Sequence, residues 1–278
     1  MKQRILTTAF ILPFFIVAMF LFSELQWRIF SAVLVVMAAR EWTRISDFPK
    51  KIKWVYLGLT TLICGMFLTS WQFFGQTTFL GITLTNWLYG SALFFWMGCV
   101  PIWLRNSTWR AHRTRIMALV GWIVLIPCWI AMIELHEASP WLLIGLMGIV
   151  WVADSAAYLF GKRFGRHKLA PKISPGKTWE GVFGAFLGVV LYAGVLSAFG
   201  YFSISMTIIN MIVGVTILWA LTGLSIVGVL FESMMKRQVG LKDSGRLLPG
   251  HGGLLDRIDS LTAMLPIAAL ALSAKVLV

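Results

Sequence analysis

Acidic side chains are scarce in this 278-residue chain: eleven Asp and Glu stand against 24 Lys and Arg, giving a net charge of +13. Charged residues of both signs make up only 13% of the chain, where a soluble domain carries about 25%. With 59% hydrophobic residues and a mean hydropathy of +0.82, a water-soluble globular fold is excluded. Cysteine is also sparse. Cys64, Cys99 and Cys128 sit in apolar stretches without CxxC spacing, so they read as small buried residues and not as disulfides or metal ligands. The ten-residue alternation of a membrane β-barrel is missing. The first apolar run lacks a small-residue cleavage site and is followed at once by another, so it reads as a retained span and not a signal peptide. No basic helix with interleaved aromatics accompanies the positive charge, which argues against a nucleic-acid partner. There is no internal repeat of the kind that transporters with paired discontinuous helices carry.

What the chain does have is long apolar runs. A hydrocarbon core about 30 Å thick needs roughly 20 apolar residues per helical span. Nine runs qualify: 5–23, 26–40, 54–74, 86–104, 115–134, 140–161, 180–201, 206–231 and 260–277. The second is short and is separated from the first only by "SELQ", which fits a tilted span or a tight helical hairpin. The expected fold is an all-α polytopic membrane protein of about nine helices. Residues 1–140 would be a scaffold and dimerisation half, and 141–278 a catalytic half with polar loops at 162–179 and 232–259. Segments 41–53, 105–114, 162–179 and 232–259 hold nearly all the Lys and Arg, whereas the intervening loops near 75–85, 135–139 and 202–205 have none. This asymmetry places the N-terminus and the basic loops in the cytoplasm. Six tryptophans near span ends, Trp27, Trp54, Trp71, Trp87, Trp103 and Trp141, suit interfacial belts.

Chemistry enters in the second half. Asp154 and Ser155 lie inside an apolar helix, where a carboxylate is costly enough to imply a partner, a cavity or a function. Tyr158 follows one turn later on the same face. The next loop carries Lys162, Arg163, Arg166, His167, Lys168, Lys172 and Lys177 among glycines and prolines. Its "SPGKTWEG" lacks the spacing of an ATPase phosphate loop. Clustered cations, a Ser174-Pro-Gly turn and amides entering a helix near Thr178 would still bind phosphate oxygens, although a helix merely capped by Ser174 or Thr178 would look the same.

The stretch "KDSGRLLPGHGGLLDRID" brings Asp243, Asp256 and Asp259 within 17 residues. A helix opening at Leu255 would set Asp256 and Asp259 on one face. Carboxylates beside phosphates suit Mg²⁺, which takes a few acids and completes its shell with water and substrate oxygens; the same acids could simply complement a helix dipole. Lys236, Arg237, Lys242, Arg246 and Arg257 supply counter-charge for a polyphosphate, and Gly252 and Gly253 let the backbone approach closely. His251 either donates to a phosphate or caps the turn. Glu232 is either a further metal ligand or the partner of Lys236 one turn on.

"SMMKRQVGLKDSGRLLPGHGGLLDRID" resembles the C-terminal signature of phosphatidate cytidylyltransferases, and "ADSAAYLFGKRFGRHKLAPKISPGKTWEG" resembles a second block of the bacterial enzymes. The resemblance implies transfer of CMP from CTP to phosphatidate, with Mg²⁺, K⁺ as a second cation, a homodimer, and an active site facing the cytoplasm from the inner membrane. The residues expected at the reacting phosphates are Asp243, Asp256, Lys242, Arg257 and His251. Asp154, Ser155, Tyr158, Lys168, Ser174, Lys177, Thr178, Lys236, Arg237, Gly252 and Gly253 would bind substrate. Asp256, Asp259, Asp243 and Glu232 form the metal set. Two positions depart from the pattern. "GVLFES" has Val229 where the family reads an aspartate that resembles a metal ligand, so Mg²⁺ binding and turnover are expected to be impaired. Ala156 replaces a usual glycine, a change expected to be tolerated. Other readings are a multi-span transporter, or a cytidylyltransferase for another lipid phosphate.

Overall fold

The structure, a computed structural model, describes residues 2–74, 78–79, 82–106, 114–201, 208–250 and 252–274. Each of the nine apolar runs falls on a helix. In chain order these are α1 (Lys2–Leu21), α2 (Glu24–Ile45), α3 (Lys50–Phe74), α4 (Leu84–Phe94), α5 (Val100–Arg105), α6 (Thr114–Ala138), α7 (Pro140–Phe164), α8 (Trp179–Ala198), α9 (Ile208–Gln238) and α10 (Leu255–Ser273). A single π turn, Phe95–Cys99, joins α4 to α5 into one bent span, with Pro101 just inside α5. Two small antiparallel hairpins complete the described residues. One pairs β1 (Thr78–Phe79) with β2 (Ile82–Thr83), and the other pairs β3 (Lys168–Ala170) with β4 (Ser174–Thr178).

Among the described residues, six helical segments are long and apolar enough to cross a bilayer: Lys50–Trp71, Leu84–Arg105, Thr114–Ala138, Pro140–Phe164, Trp179–Ala198 and Ile208–Gln238. The short link between α1 and α2 is a tight hairpin. Ser23 accepts from the Gln26 amide while the Gln26 side chain accepts from the Ser23 amide, a reciprocal cap that starts α2 without a longer loop.

Helix α6 is the most deeply buried of these six spans, with 72% of its most apolar stretch inside the protein against 22–39% in the other five. It packs on α2, α4, α7 and α10, so the buried core runs without a break from the N-terminal to the C-terminal half. Helices α7 and α8 form the closest pair. Gly181, Gly184 and Gly188 on α8 meet the Ala157 carbonyl, Phe160 and Ala156, and a Cβ at any of the three would collide with α7. Small residues at this spacing are how membrane helices approach closely.

Contacts between helix ends sort them into two groups. At one end Arg28 of α2 pairs with Glu137 of α6 (2.6 Å), Trp71 of α3 donates to the same carboxylate (3.3 Å), and Ser273 of α10 meets Asn86 of α4 (3.0 Å). At the other lie the C-terminal ends of α2, α7 and α9, the β3–β4 hairpin and the start of α10. The expectation of interfacial tryptophans fails for two of them. Trp27 is fully buried, stacked on His136 at 4.4 Å and donating to the Met132 carbonyl (3.4 Å), and Trp103 is buried against Phe231. Both rings face a neighbouring helix and not the bilayer edge. Trp54, Trp87 and Trp141 are exposed, and the three cysteines are free, Cys64 and Cys128 being buried.

Candidate functional site

The last turns of α9 and the first turn of α10 bring together Glu232, Lys236, Asp256 and Asp259. As the sequence predicts, α10 opens at Leu255 with Asp256 in its first turn. Asp256 accepts from the Lys236 ammonium (2.5 Å), the Gly253 amide (2.7 Å) and the Ser244 amide (2.9 Å). Burial alone would raise its pKa, but the ammonium and the two amides outweigh that and hold the carboxyl below the ordinary carboxylate range. The same ammonium lies 3.3 Å from Glu232 Oε1, so Glu232 is a partner of Lys236, both of them less than 9% exposed. Lys236 thereby bridges two helices.

Neither Glu232 oxygen has a hydrogen-bond donor, and its carboxyl interacts with those of Asp259 and Asp256. Of these neighbours Asp259 accepts from the Ser260 amide (2.8 Å) while Glu232 has no such donor, and adjacent acids are a poor arrangement unless a cation or proton is shared between them. Val229 stands one turn before Glu232, half-buried, and the adjacent Gly228 is pressed so closely onto the Asp259 backbone carbonyl that a Cβ would clash. Position 229 therefore lies along the α9 face that carries Glu232 and Lys236.

The first polar segment meets this cluster. "SPGKT", expected as a turn, is the extended strand β4; the turn falls instead at 171–173, closed by the Ile173 amide donating to Ala170 (3.2 Å). Proline at 175 fixes a φ compatible with a strand edge, and Pro171 opens the preceding turn. Lys168 pairs in register with Thr178, and Ala170 with Ser174. Thr178 is the N-cap of α8, its hydroxyl accepting from the Gly181 amide (3.1 Å). Glu180 anchors the hairpin by accepting from the backbone amide of His167 (3.2 Å) and pairing with its ring Nδ1 (2.7 Å). The hairpin carries Lys177 inward, where it interacts with Asp154 of α7 and with Asp259 and Lys236. Burial pushes the Lys177 ammonium below the ordinary lysine value; Asp154 and Asp259 oppose the shift and Lys236 adds to it. Asp154 thus finds Lys177 and Arg257 as counter-charges.

Other expected residues sit at the rim. Lys242 and Asp243 are exposed, with Asp243 alongside Gly252, whose φ of +86° only glycine adopts freely. Arg237 donates to the Leu241 carbonyl (3.2 Å). The Ser155 hydroxyl is turned back onto its own helix at Trp151 (2.7 Å), and Tyr158 is exposed beneath the Lys162 ammonium. His251 lies outside the described residues. Gly253 has a use the sequence does not announce: it and Gly245 admit the carboxylate of Glu41 from α2, which a Cβ at either would strike.

Among the described residues, no three Asp, Glu, His or Cys side chains are placed to hold a metal ion together. Hard oxygen donors are nevertheless present in the Glu232 carboxylate, which pairs with Lys236, and in its neighbours Asp259 and Asp256. Mg²⁺ takes few carboxylates and completes its shell with water and phosphate oxygens, so these acids would fit such an ion only with most of its shell supplied from outside the protein.

A sequence profile described as the cytidylyltransferase family matches residues 2–274. The chain belongs to the cytidylyltransferase family. It is similar to the phosphatidate cytidylyltransferase of Pseudomonas aeruginosa, 35% identical over 272 residues, covering 97% of this chain and 96% of that one. The phosphatidate cytidylyltransferase of Haemophilus influenzae is 33% identical over 285 residues, covering 96% of each. A shorter match, 119 residues at 47% identity, relates 43% of this chain to 44% of the Staphylococcus aureus phosphatidate cytidylyltransferase. A nucleotidyltransferase family gives the cation-rich polar end a chemical purpose, the handling of phosphates.

Proposed function

We propose that this chain transfers CMP from CTP to phosphatidate, giving CDP-diacylglycerol and pyrophosphate, from the cytoplasmic face of a bacterial inner membrane. The observation that carries this reading is the convergence of two polar segments, Asp154 and Lys177 from one and Glu232, Lys236, Asp256, Arg257 and Asp259 from the other, at one end of an apolar helical bundle. A lipid phosphate travels in the bilayer and a triphosphate in water. Only the end of such a bundle meets both.

In the proposed step an oxygen of the phosphatidate phosphate attacks the α-phosphorus of CTP, a new P–O bond forms, and the bond to the β-phosphate breaks with its electrons leaving on pyrophosphate. The nucleophile is already anionic at neutral pH, so no general base is required. Lys177 and Arg257 would stabilise charge on the transferring and leaving phosphates, and Lys242 with Arg237 at the rim would draw in the triphosphate. Glu232, Asp259, Asp256 and the nearby Asp243 would hold Mg²⁺, which supplies Lewis-acid stabilisation of phosphate charge when bound. K⁺ as a second cation, a homodimeric assembly and nine spans with a cytoplasmic N-terminus are parts of the same proposal. With valine at 229, one carboxylate of that set is missing, and we propose that turnover is impaired.

The test is CMP transfer from labelled CTP to phosphatidate in detergent micelles with Mg²⁺ and K⁺, comparing the chain with Val229→Asp. Activity that is low in the chain and strong in Val229→Asp supports both the reaction and the lost ligand. Inactivity of both, under conditions where the Pseudomonas aeruginosa relative turns over, refutes the reaction for this chain.

A further inference from the structure

The loop that carries Asp243 and leads into Asp256 is held in part from outside the C-terminal half. Glu41, in the last turns of α2 and only 6% exposed, inserts its carboxylate between the two limbs of that loop. Oε2 accepts from the Ser244 hydroxyl (2.8 Å) and the Leu255 amide (2.8 Å), and Oε1 accepts from the Leu254 amide (3.0 Å). Glycine at 245 and 253 leaves the space it occupies. Leu254, the N-cap of α10, offers no capping side chain of its own, so a carboxylate more than 200 residues away in sequence satisfies the first free amides of that helix. Among the described residues, no Lys, Arg or His forms an ion pair with Glu41. Its partners are therefore the loop itself.

Ser244 links the two acids. Its hydroxyl goes to Glu41 and its amide to Asp256, which in turn holds Lys236. We propose that Glu41 is a positioning residue of the reaction: it fixes residues 243–256 so that Asp243 and Asp256 face the nucleotide and its metal, and it acts through Ser244 and the start of α10 without touching substrate. The activity part of this inference rests on the cytidylyltransferase reading, while the structural part does not. Every group that meets the carboxylate is a donor, so glutamine, which turns an NH₂ toward one of them, is the discriminating substitution.

The experiment is hydrogen–deuterium exchange of peptides spanning 241–258 in detergent, for the chain, Glu41→Gln and Ser244→Ala. Glu134→Gln serves as control because Glu134 accepts from Tyr89 (2.8 Å) away from this loop. A hydrogen bond to a charged group is worth enough that losing one or two predicts exchange at this loop faster by about tenfold to a hundredfold in Glu41→Gln, with α6 and α8 unchanged. Ser244→Ala, which removes one of three donors and so survives if Glu41→Gln fails to fold, should show a smaller rise at the same peptides. In the Val229→Asp background, Glu41→Gln should lower kcat by about tenfold or more and raise the Mg²⁺ concentration for half-maximal rate, and Glu134→Gln should do neither. Unchanged exchange at 241–258 in both Glu41→Gln and Ser244→Ala, or a uniform rise across the protein matching Glu134→Gln, overturns the proposal. If the Val229→Asp parent itself transfers no CMP, the reaction assignment fails, and the exchange pattern alone still decides the role of Glu41.

Discussion

Replacing Val229 with aspartate should make the protein dependent on a divalent cation for stability as well as for turnover. The new carboxylate would stand one turn from Glu232, about 6 Å away, where two like charges at an effective dielectric of about 20 repel by about 3 kcal/mol. Asp259 adds repulsion, because the glycine next to position 229 rests on its backbone. Lys236, already divided between Glu232 and Asp256, has little left to offset it. Losing the half-buried valine costs about 1 kcal/mol more. In EDTA, Val229→Asp should therefore melt roughly 10 °C below the chain, at about 2–4 °C per kcal/mol. Mg²⁺ at 100 times its Kd returns about 2.7 kcal/mol, which recovers most of that loss. The assay is thermal unfolding in detergent, followed by circular dichroism across a MgCl₂ titration, with Val229→Asn as the uncharged control. The control should fall slightly and gain nothing from Mg²⁺. If Val229→Asp matches the chain in EDTA, or Mg²⁺ raises all three melting temperatures equally, position 229 does not belong to a metal site.

Three further outcomes follow from the same geometry. Lys236→Met leaves Glu232 and Asp256 without their shared cation and should cost about 3–5 kcal/mol, while adding Asp256→Asn should cost much less than the sum of the two single changes; additive losses in chemical denaturation would refute the bridge. Gly253→Ala drives a methyl into the Glu41 carboxylate and the Ser244 hydroxyl and should destabilise by about 1–3 kcal/mol, whereas Gly176→Ala enters open space and should leave the melting temperature unchanged. Lys177 titrates below the ordinary lysine value of 10.5 because it is buried, so its positive charge is complete below that lowered pKa and lost as pH rises through it. The KM for CTP should accordingly climb at a pH below 10.5, and Lys177→Arg should abolish the climb because a guanidinium stays charged. A climb unaltered by Lys177→Arg would assign it to another group.

The helices were legible because unbroken apolar runs of about 20 residues have one common solution in a bilayer. The start of α10 was legible too, since Asp256 marks a first turn. Asp154 announced that it needs a partner, but not which one: Lys177 and Arg257 become its partners only once the hairpin folds back and α9 brings α10 alongside α7. Trp27 and Trp103 misled because a tryptophan near a span end reads the same whether it faces the bilayer edge or another helix. Gly253 was read as room for a ligand, and the visible occupant is a side chain from α2. Glu41 itself gave no signal. A lone acid in "AAREWTRI" resembles a cytoplasmic helix end, and nothing local foretells a contact across 203 residues of chain.

Charge balance connects these observations to the valine. Counted by formal charge, Asp154, Glu232, Asp256 and Asp259 face Lys177, Lys236 and Arg257, four acids against three cations, an excess of one negative charge that a shared proton or a bound cation would offset. A carboxylate at 229 would raise the excess to two, the charge of one Mg²⁺. Evolution or chance could remove any member of such a set, but the consequences differ. Removing Lys236 leaves the buried Glu232 uncompensated and threatens the fold, whereas removing the acid at 229 brings the site closer to neutrality. With 229 as the metal-ligand position proposed above, the chain would keep its packing and the cations of the cluster and bind the ion weakly, so CTP binding measured in EDTA should be at least as tight in the chain as in Val229→Asp, and addition of Mg²⁺ should reverse that order. Tighter binding by Val229→Asp in EDTA would break the link between charge balance and metal demand.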